Sequence, residues 1–448
     1  MRNVFFVTLL AILHCYTLPA ASKNFANTIY RSVNNHDRVT AAIADVDAAK
    51  QRIRVSKGAW YPELDFKLSR GREHIRNPQS DKSDLFFSSA SVEATQLLWD
   101  FGVTGAKVEK SRLNYLRAQL VLFQTRQDIM LEAVKSAIEI KRSLGVFAFA
   151  QRSEQNVRRQ TGLEEAKARA GGGLTTDVLQ AKTQLAGAQA RTIRSKGGQR
   201  RALNTYRRFF HTMPVSLKSM KVLESVLGEL PGNVHEALEI ARFNNPLILI
   251  ASVDELVAKQ SVNEAGRGGF LPRLEVVGKA ELNRNVGGSV GTKRSASVKI
   301  QLSLPFNLGF TSINSSRASN SDYTAATSRL ADARYQVDET VLNAWEKYET
   351  AKATARLLRD QASLAHAFLK LARQERKLGN RSLIDVLAGE SAHFNALSDT
   401  LSMDADVLVA AFEILQATGQ LVGPDADLIK RTGNKSPKRN RWTSVNLH

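Results

Sequence analysis

The chain has 448 residues, a formal net charge of +20 and one cysteine, Cys15. Such a charge would suit a nucleic-acid binder, but the basic residues are scattered along helical stretches as a solvated face, and a secretion leader directs the chain away from nucleic acid. With no cysteine after the leader, no disulfide framework is available. Nor does any later apolar run approach the ~20 residues of a membrane-spanning helix, which excludes an inner-membrane protein.

Residues 1–22 are expected to be a signal peptide. Met1-Arg2-Asn3 is a short positive start, Val4–Leu13 an apolar run, and Leu18-Pro19-Ala20-Ala21-Ser22 supplies small residues for cleavage. His14 stands before Cys15 where a lipoprotein would carry a small residue. Beyond the leader an internal repeat organises the chain. Asn34-Asn35 to Leu64 aligns without gaps with Asn244-Asn245 to Leu274, with Ala41/Ala251, Ala48/Ala258, Gly58/Gly268 and Pro62/Pro272 coinciding. Thr176-Asp177-Val178-Leu179 later matches Ile384-Asp385-Val386-Leu387 at nearly the same offset. Their order points to duplication, with a first repeat over 23–230, a second over 231–423 and a basic, disordered tail over 424–448.

In the first repeat a helix is predicted over about 26–57, followed by a strand pair over about 63–100. Leu64, Phe66 and Leu68 alternate with Asp65, Lys67 and Ser69; Ala90, Val92 and Ala94 alternate with Ser91, Glu93 and Thr95. One apolar and one polar face per strand is the period-two pattern of a membrane barrel, and each strand can run the roughly ten residues that cross a bilayer when tilted. Proline-free sequence then predicts a long helix over about 103–170, on the order of 100 Å at 1.5 Å per residue. A shorter helix follows over about 176–208.

The second repeat is read the same way: a helix over about 234–265, a strand pair over about 273–306, a long helix over about 310–378 and a helix over about 383–419. Leu274, Val276, Gly278, Ala280 and Leu282 share one strand face, and Ala296, Val298, Ile300, Leu302 and Leu304 another. The long helix carries an alternating four–three series: Val337, Val341, Ala344, Tyr348, Ala351, Ala355, Leu358, Ala362, Ala365, Leu369 and Ala372. That spacing is a coiled-coil seam, and its alanines permit close helix approach. The first long helix repeats the register with Leu113, Leu116, Leu120, Phe123, Met130, Val134 and Ala137, interrupted by Gln127.

Aromatics gather at one end of the strands: Trp60, Tyr61, Trp99 and Phe101 in one repeat, Phe270 and Phe306 in the other. A soluble sandwich would hold such aromatics as core, but an interfacial girdle explains better why they cluster at one end of all four strands. Gly287-Gly288-Ser289-Val290-Gly291 fits a nucleophile-elbow spacing but lies between two strands with no helix behind it. No metal-ligand or phosphate-loop motif is present after the leader, so no cofactor, metal or enzyme activity is expected.

Four strands with a lipid-facing side cannot close a barrel, and open edges are not tolerated in lipid. The chain must therefore pool strands with copies of itself, and three copies would give twelve. Over nearly the whole mature length it resembles the TolC family of outer-membrane efflux and type I secretion channels. The likeness rests on the strand pairs, on Gly58-Ala59-Trp60-Tyr61-Pro62 with Gly268-Gly269-Phe270-Leu271-Pro272, on the two Asp-Val-Leu segments and on the long helices. It implies a mainly α protein with transmembrane β: a homotrimeric twelve-stranded barrel in outer-membrane lipid, continued by a periplasmic α-helical barrel. It also implies docking to a periplasmic adaptor and to an inner-membrane ABC or proton-driven transporter.

The resemblance assigns the pore constriction to Asp385. The family's second acidic position falls on Ala388, and the plainer reading of Asp385 is a carboxylate complementing a helix dipole. Thr176 and Asp177 align with residues that tie the tip closed, and Arg381 with their basic partner. The family's aromatic partner position falls on Arg376, where that hydrogen bond is either replaced or lost. Gly379 suits a helix C-terminus, and Ser382 a cap on the next helix. A periplasmic coiled-coil adaptor is the competing reading, but it has no need of four bilayer-length strands.

Overall fold

A computed structural model describes residues 20–76, 83–211, 223–224, 227–304 and 308–421, with side chains described from residue 27. The elements in chain order are α1 (Ala20–Asn34), α2 (Asp37–Gly58), β1 (Glu63–Ile75), β2 (Ser83–Trp99), α3 (Val103–Arg169), α4 (Thr175–Phe210), α5 (Val234–Asn244) and α6 (Pro246–Gly268). They continue with β3 (Arg273–Arg284), β4 (Thr292–Ser303), α7 (Thr311–Lys377) and α8 (Leu383–Ala417). No helix among the described residues is long and apolar enough to cross a membrane.

Each helix that the sequence predicts ahead of a strand pair is divided in two. The breaks fall at the repeated Asn-Asn pair. The Asn245 side chain accepts a hydrogen bond from the Leu247 N–H and Pro246 sits in the first turn, so a new helix starts there. Hydropathy alone carried the prediction across both breaks, because the apolar pattern resumes after each.

The chain folds as two compact units. Among the described residues, one comprises those within 37–126 and 238–341, the other those up to 36, within 127–237 and from 342 on. Both draw on both repeats, and α3 and α7, each 67 residues, run from one into the other.

The first unit holds a four-stranded antiparallel sheet in the order β1-β2-β3-β4. The two repeats meet in it where β2 pairs with β3, as in Ala94↔Gly278 and Ala90↔Leu282. Up to a register shift between Leu97 and Trp99, even-numbered residues stay opposite one another, so Phe66, Val92, Ala280 and Ala296 form a row on one face. That face is apolar yet open: Phe66 is 71% exposed, Leu68 86% and Val298 79%. The opposite face carries Asp65, Lys67, Glu93, Lys279 and Lys299. Between β3 and β4, Gly287–Gly291 forms a hairpin connection, with the Asn285 N–H bonded to the Gly291 carbonyl at 2.9 Å. At the helix end, the Asp100 carboxylate accepts from the Gly102 and Thr104 N–H groups at 3.0 and 2.6 Å, capping α3.

In the second unit the alternating seam of α7 is buried at Ala344, Ala351, Ala355, Ala362, Leu369 and Ala372, while Tyr348, Leu358 and Ala365 are half-buried. The corresponding stretch of α3 buries Ile129, Val134, Ala137, Ile138 and Ile140, while Gln127, also buried, donates to the Gly419 carbonyl at 3.4 Å. Glu413 of α8 pairs with Lys135 of α3 and Lys347 of α7, each at 2.7 Å. Burial opposes ionisation of Glu413, but the two ammonium donors prevail and hold its carboxyl below the ordinary range.

Candidate functional site

Two helix turns in the second unit carry the residues expected at a tip. The first joins α3 to α4. Gly171 takes φ +83°, and the Gly171 and Gly172 N–H groups close onto the Ala168 and Lys167 carbonyls at 3.0 and 3.1 Å. Leu174 then occupies the N-cap of α4 with no side-chain hydrogen bond.

The second turn joins α7 to α8 with the same backbone plan. Gly379 takes φ +81°, and the Gly379 and Asn380 N–H groups bond to the Arg376 and Glu375 carbonyls. Here Ser382 does cap the helix, its Oγ accepting from the Asp385 N–H at 3.2 Å. A small core of Val157, Ala181, Ala188, Leu383 and Leu387 packs α3, α4 and α8 together behind the turns.

Thr176 is exposed and Asp177 half-buried in the first turn of α4. Asp385 is exposed in the first turn of α8, and Ala388, three residues on, is exposed as well. Arg381 has partners other than the expected Asp177. Its Nε lies 3.2 Å from Glu375 and 3.8 Å from Asp385, and its guanidinium stands 5.1 Å from the Phe368 ring centroid. These groups flank Arg381 on its own hairpin, within easier reach than Asp177 on the other. The Asp385 carboxylate is thus partly compensated by a cation one helical turn away.

Arg376 makes two contacts beside this turn. Its guanidinium donates to the Arg381 carbonyl at 3.2 Å and to Glu164 of α3 at 2.6 Å, and Glu164 is buried. This ion pair ties the second turn to α3. A second buried acid, Glu390 of α8, is 1% exposed and bonds to Arg373 of α7 at 2.5 Å and to the Asn156 amide of α3. Sequence reading missed both acids. A charged residue three or four positions from an apolar seam residue has the same spacing whether it faces water or a neighbouring helix. Above them, the His393 and His366 rings lie 5.0 Å apart between α8 and α7. Burial, with His366 adding to it, lowers the His393 pKa.

On the sheet, Trp60, Tyr61, Trp99, Phe101 and Phe270 are all exposed, between 41% and 70%, at the end where strands meet helices. Phe306 lies outside the described residues. Trp99 and Phe101 pack edge to face at 6.0 Å. At the hairpin end Phe86, 67% exposed, lies on the apolar face under the Arg72 guanidinium at 5.8 Å.

The outer membrane efflux protein family model matches residues 28–209 and 237–420, one block in each repeat. The outer membrane efflux protein BepC of Brucella suis biovar 1 is 22% identical over 418 residues, spanning 91% of this chain and 88% of BepC. The alkaline protease secretion protein AprF of Pseudomonas aeruginosa is 25% identical over 443 residues, spanning 92% and 88%. The solved structure of the Campylobacter jejuni CmeC outer membrane channel matches with a TM-score of 0.77 at 12% identity, covering 92% of this chain and 88% of CmeC. The adaptor reading falls away, since BepC and CmeC are outer-membrane proteins and the family match includes both strand pairs. The chain belongs to the outer membrane efflux protein family, the TolC-like passive ducts of the outer membrane that serve efflux or type I secretion.

Proposed function

We propose that three copies of this chain close a twelve-stranded barrel, with the even-numbered sheet face toward lipid and the aromatic group at the helix end set in the periplasmic interface. The supporting observation is the sheet itself: β1 and β4 are edge strands, and an open edge beside an exposed apolar face has no place in a bilayer. Neighbouring protomers supply the missing partners. Detergent-extracted outer membranes should yield a heat-modifiable trimer that forms conducting pores in planar bilayers. A soluble periplasmic monomer would overturn the proposal.

The helical part docks a periplasmic adaptor and an inner-membrane transporter, and the transporter decides what is exported. Cross-linking followed by purification of the full chain tests this by capturing both partners.

At the tip, Asp385 contributes one carboxylate per protomer to a cation-attracting constriction. The contact of Thr176 and Asp177 with Arg381 forms between neighbouring protomers, because inside one chain Arg381 is held by Glu375 and Asp385. Each exposed pair is worth less than ~1 kcal/mol, but symmetry repeats it three times. Arg381→Glu should raise single-channel conductance, and Asp385→Asn should lower the preference for cations. Unchanged conductance in Arg381→Glu would remove Arg381 from the gate.

A further inference from the structure

The apolar face of the sheet does not stay apolar along its length. On β1 the even-numbered positions run Leu64, Phe66, Leu68 and then, toward the hairpin end, Arg70, Arg72 and His74. On β3 they end in Arg284, and on β4 Ala296 is followed outward by Arg294. Among the described strand residues this face carries one carboxylate, Asp84, which is engaged by Arg72 through hydrogen bonds of 2.7 and 2.5 Å. Arg70, Arg284 and Arg294 are exposed and have no ion pair among the described residues.

The register brings these three together. Arg70 and Arg284 both pair with Ser88 of the strand between them, so their backbones stand about 10 Å apart. Arg294 sits opposite Leu282, the diagonal neighbour of Arg284 on the same face. The intervening strand carries only Ser88 and Ala90 here, which leaves a trough between longer side chains. One groove of about 700 Å³ is lined by Phe66, Leu68, Val92, Leu282 and Ala296, with Arg294 along it. A second, of about 500 Å³, is lined by Arg70, Ser88, Arg284 and Thr292. The two share Leu68, Ala90 and Leu282, so a single trough runs from apolar to basic.

We propose that this trough binds a phosphate-bearing lipid of the outer leaflet, its phosphate held among Arg70, Arg284 and Arg294 and one acyl chain laid over Ala90. Depth supports this occupant. From Leu304 to Arg294 a tilted strand climbs about 25 Å, the height of a barrel's apolar band, which sets the arginines at headgroup level. An arginine facing lipid is costly at the midplane, whereas near the interface the penalty approaches zero. Guanidinium groups bind phosphate in bidentate fashion, and three of them together favour a phosphorylated headgroup over a zwitterionic one.

The inference rests on the reading of the even-numbered face as the lipid face. Its test uses the full-length trimer in detergent, offered lipid A or phosphatidylcholine, with retained lipid counted by native mass spectrometry and conductance recorded in parallel. The wild type should retain lipid A in preference to phosphatidylcholine, and Arg70→Gln/Arg284→Gln/Arg294→Gln should retain about tenfold less. Lys67→Gln/Lys293→Gln/Lys299→Gln, which removes as much charge from the opposite face, should retain it as the wild type does. Equal retention by both triple variants, or competition by inorganic phosphate at equal concentration, overturns the lipid site while conductance leaves the channel intact. A wild type that neither trimerises nor conducts overturns the channel reading itself. Should the arginine variant fail to assemble, single Arg70→Gln and Arg284→Gln variants carry the same comparison with smaller losses.

Discussion

The two helix turns stand at equivalent places in a duplicated sequence, yet they are held by different means. Both share a left-handed glycine, Gly171 or Gly379, and the same closing hydrogen bonds. Beyond that the first is bare backbone: Gly171, Gly172 and Gly173 lead into an α4 whose N-cap, Leu174, offers no side-chain bond. The second is dense with side-chain contacts: the Ser382 cap, the bond from Arg376 to the Arg381 carbonyl, and pairs from Arg381 to Glu375 and Asp385. One residue able to take a positive φ suffices to reverse the chain, and everything else was free to diverge after duplication. Closing and opening are therefore expected to depend on the second hairpin, with the first following.

The strongest way to break this asymmetry is Arg373→Ala. It strands the buried Glu390 carboxylate, and the loss should reach about 3 kcal/mol, read as a lower melting temperature of the trimer. Arg373→Leu combined with Glu390→Leu should recover most of that loss, since what destabilises is the unpaired charge. Next is Arg376→Ala, which removes the partner of Glu164 and the bond to the Arg381 carbonyl. About 2 kcal/mol is expected, with faster amide exchange confined to residues around 376–385.

A smaller pair of changes would equalise the two turns. Ser382→Ala should cost about 1 kcal/mol, while Leu174→Ser should stabilise α4 by a similar or lesser amount, both read by thermal melting. If Leu174→Ser has no effect, the first turn is not limited by its missing cap.

The smallest effect concerns pH. Because the fold depresses the His393 pKa, the folded state holds fewer protons than the unfolded chain around neutrality. The stability this gives is complete above the ordinary histidine value of about 6.5 and is lost as pH falls through the lower folded value. Melting temperature of the wild type should fall as the pH drops below about 6.5, and His393→Asn should flatten that slope. Glu413 acts at lower pH. Its depressed pKa gives stability that is present above the ordinary glutamate value of about 4.3 and is lost as pH falls through the lower folded value, a loss that Lys135→Met and Lys347→Met should reduce.

How much of this could be read from sequence follows from what periodicity reports. Period two placed Leu64, Phe66 and Leu68 on one face, and the alternating series placed Ala351, Ala355 and Ala362 in a seam, because each pattern concerns one element alone. The Ser382 cap and the Gly379 reversal were legible for the same reason. Glu164 and Glu390 were not, since their burial depends on where another helix crosses. The intrachain partners of Arg381, Glu375 and Asp385, were not legible because alignment carries a position over without its neighbours. The arginines of the apolar face were visible as letters, but only the register shows Arg70 and Arg284 flanking the same serine.

The strand order has a further consequence, for biogenesis. β2 finds its partner β3 only after nearly two hundred further residues have been made, as Ala94↔Gly278 illustrates. Neither hairpin has a complete neighbour until the second repeat emerges, and pairings so distant in sequence form slowly. During export the first hairpin is a lone two-stranded unit of marginal stability, unable to commit to lipid prematurely. Duplication thus delays membrane entry until the polypeptide is nearly finished, and a truncation after α4 should leave a chain that waits in the periplasm for chaperones or proteases.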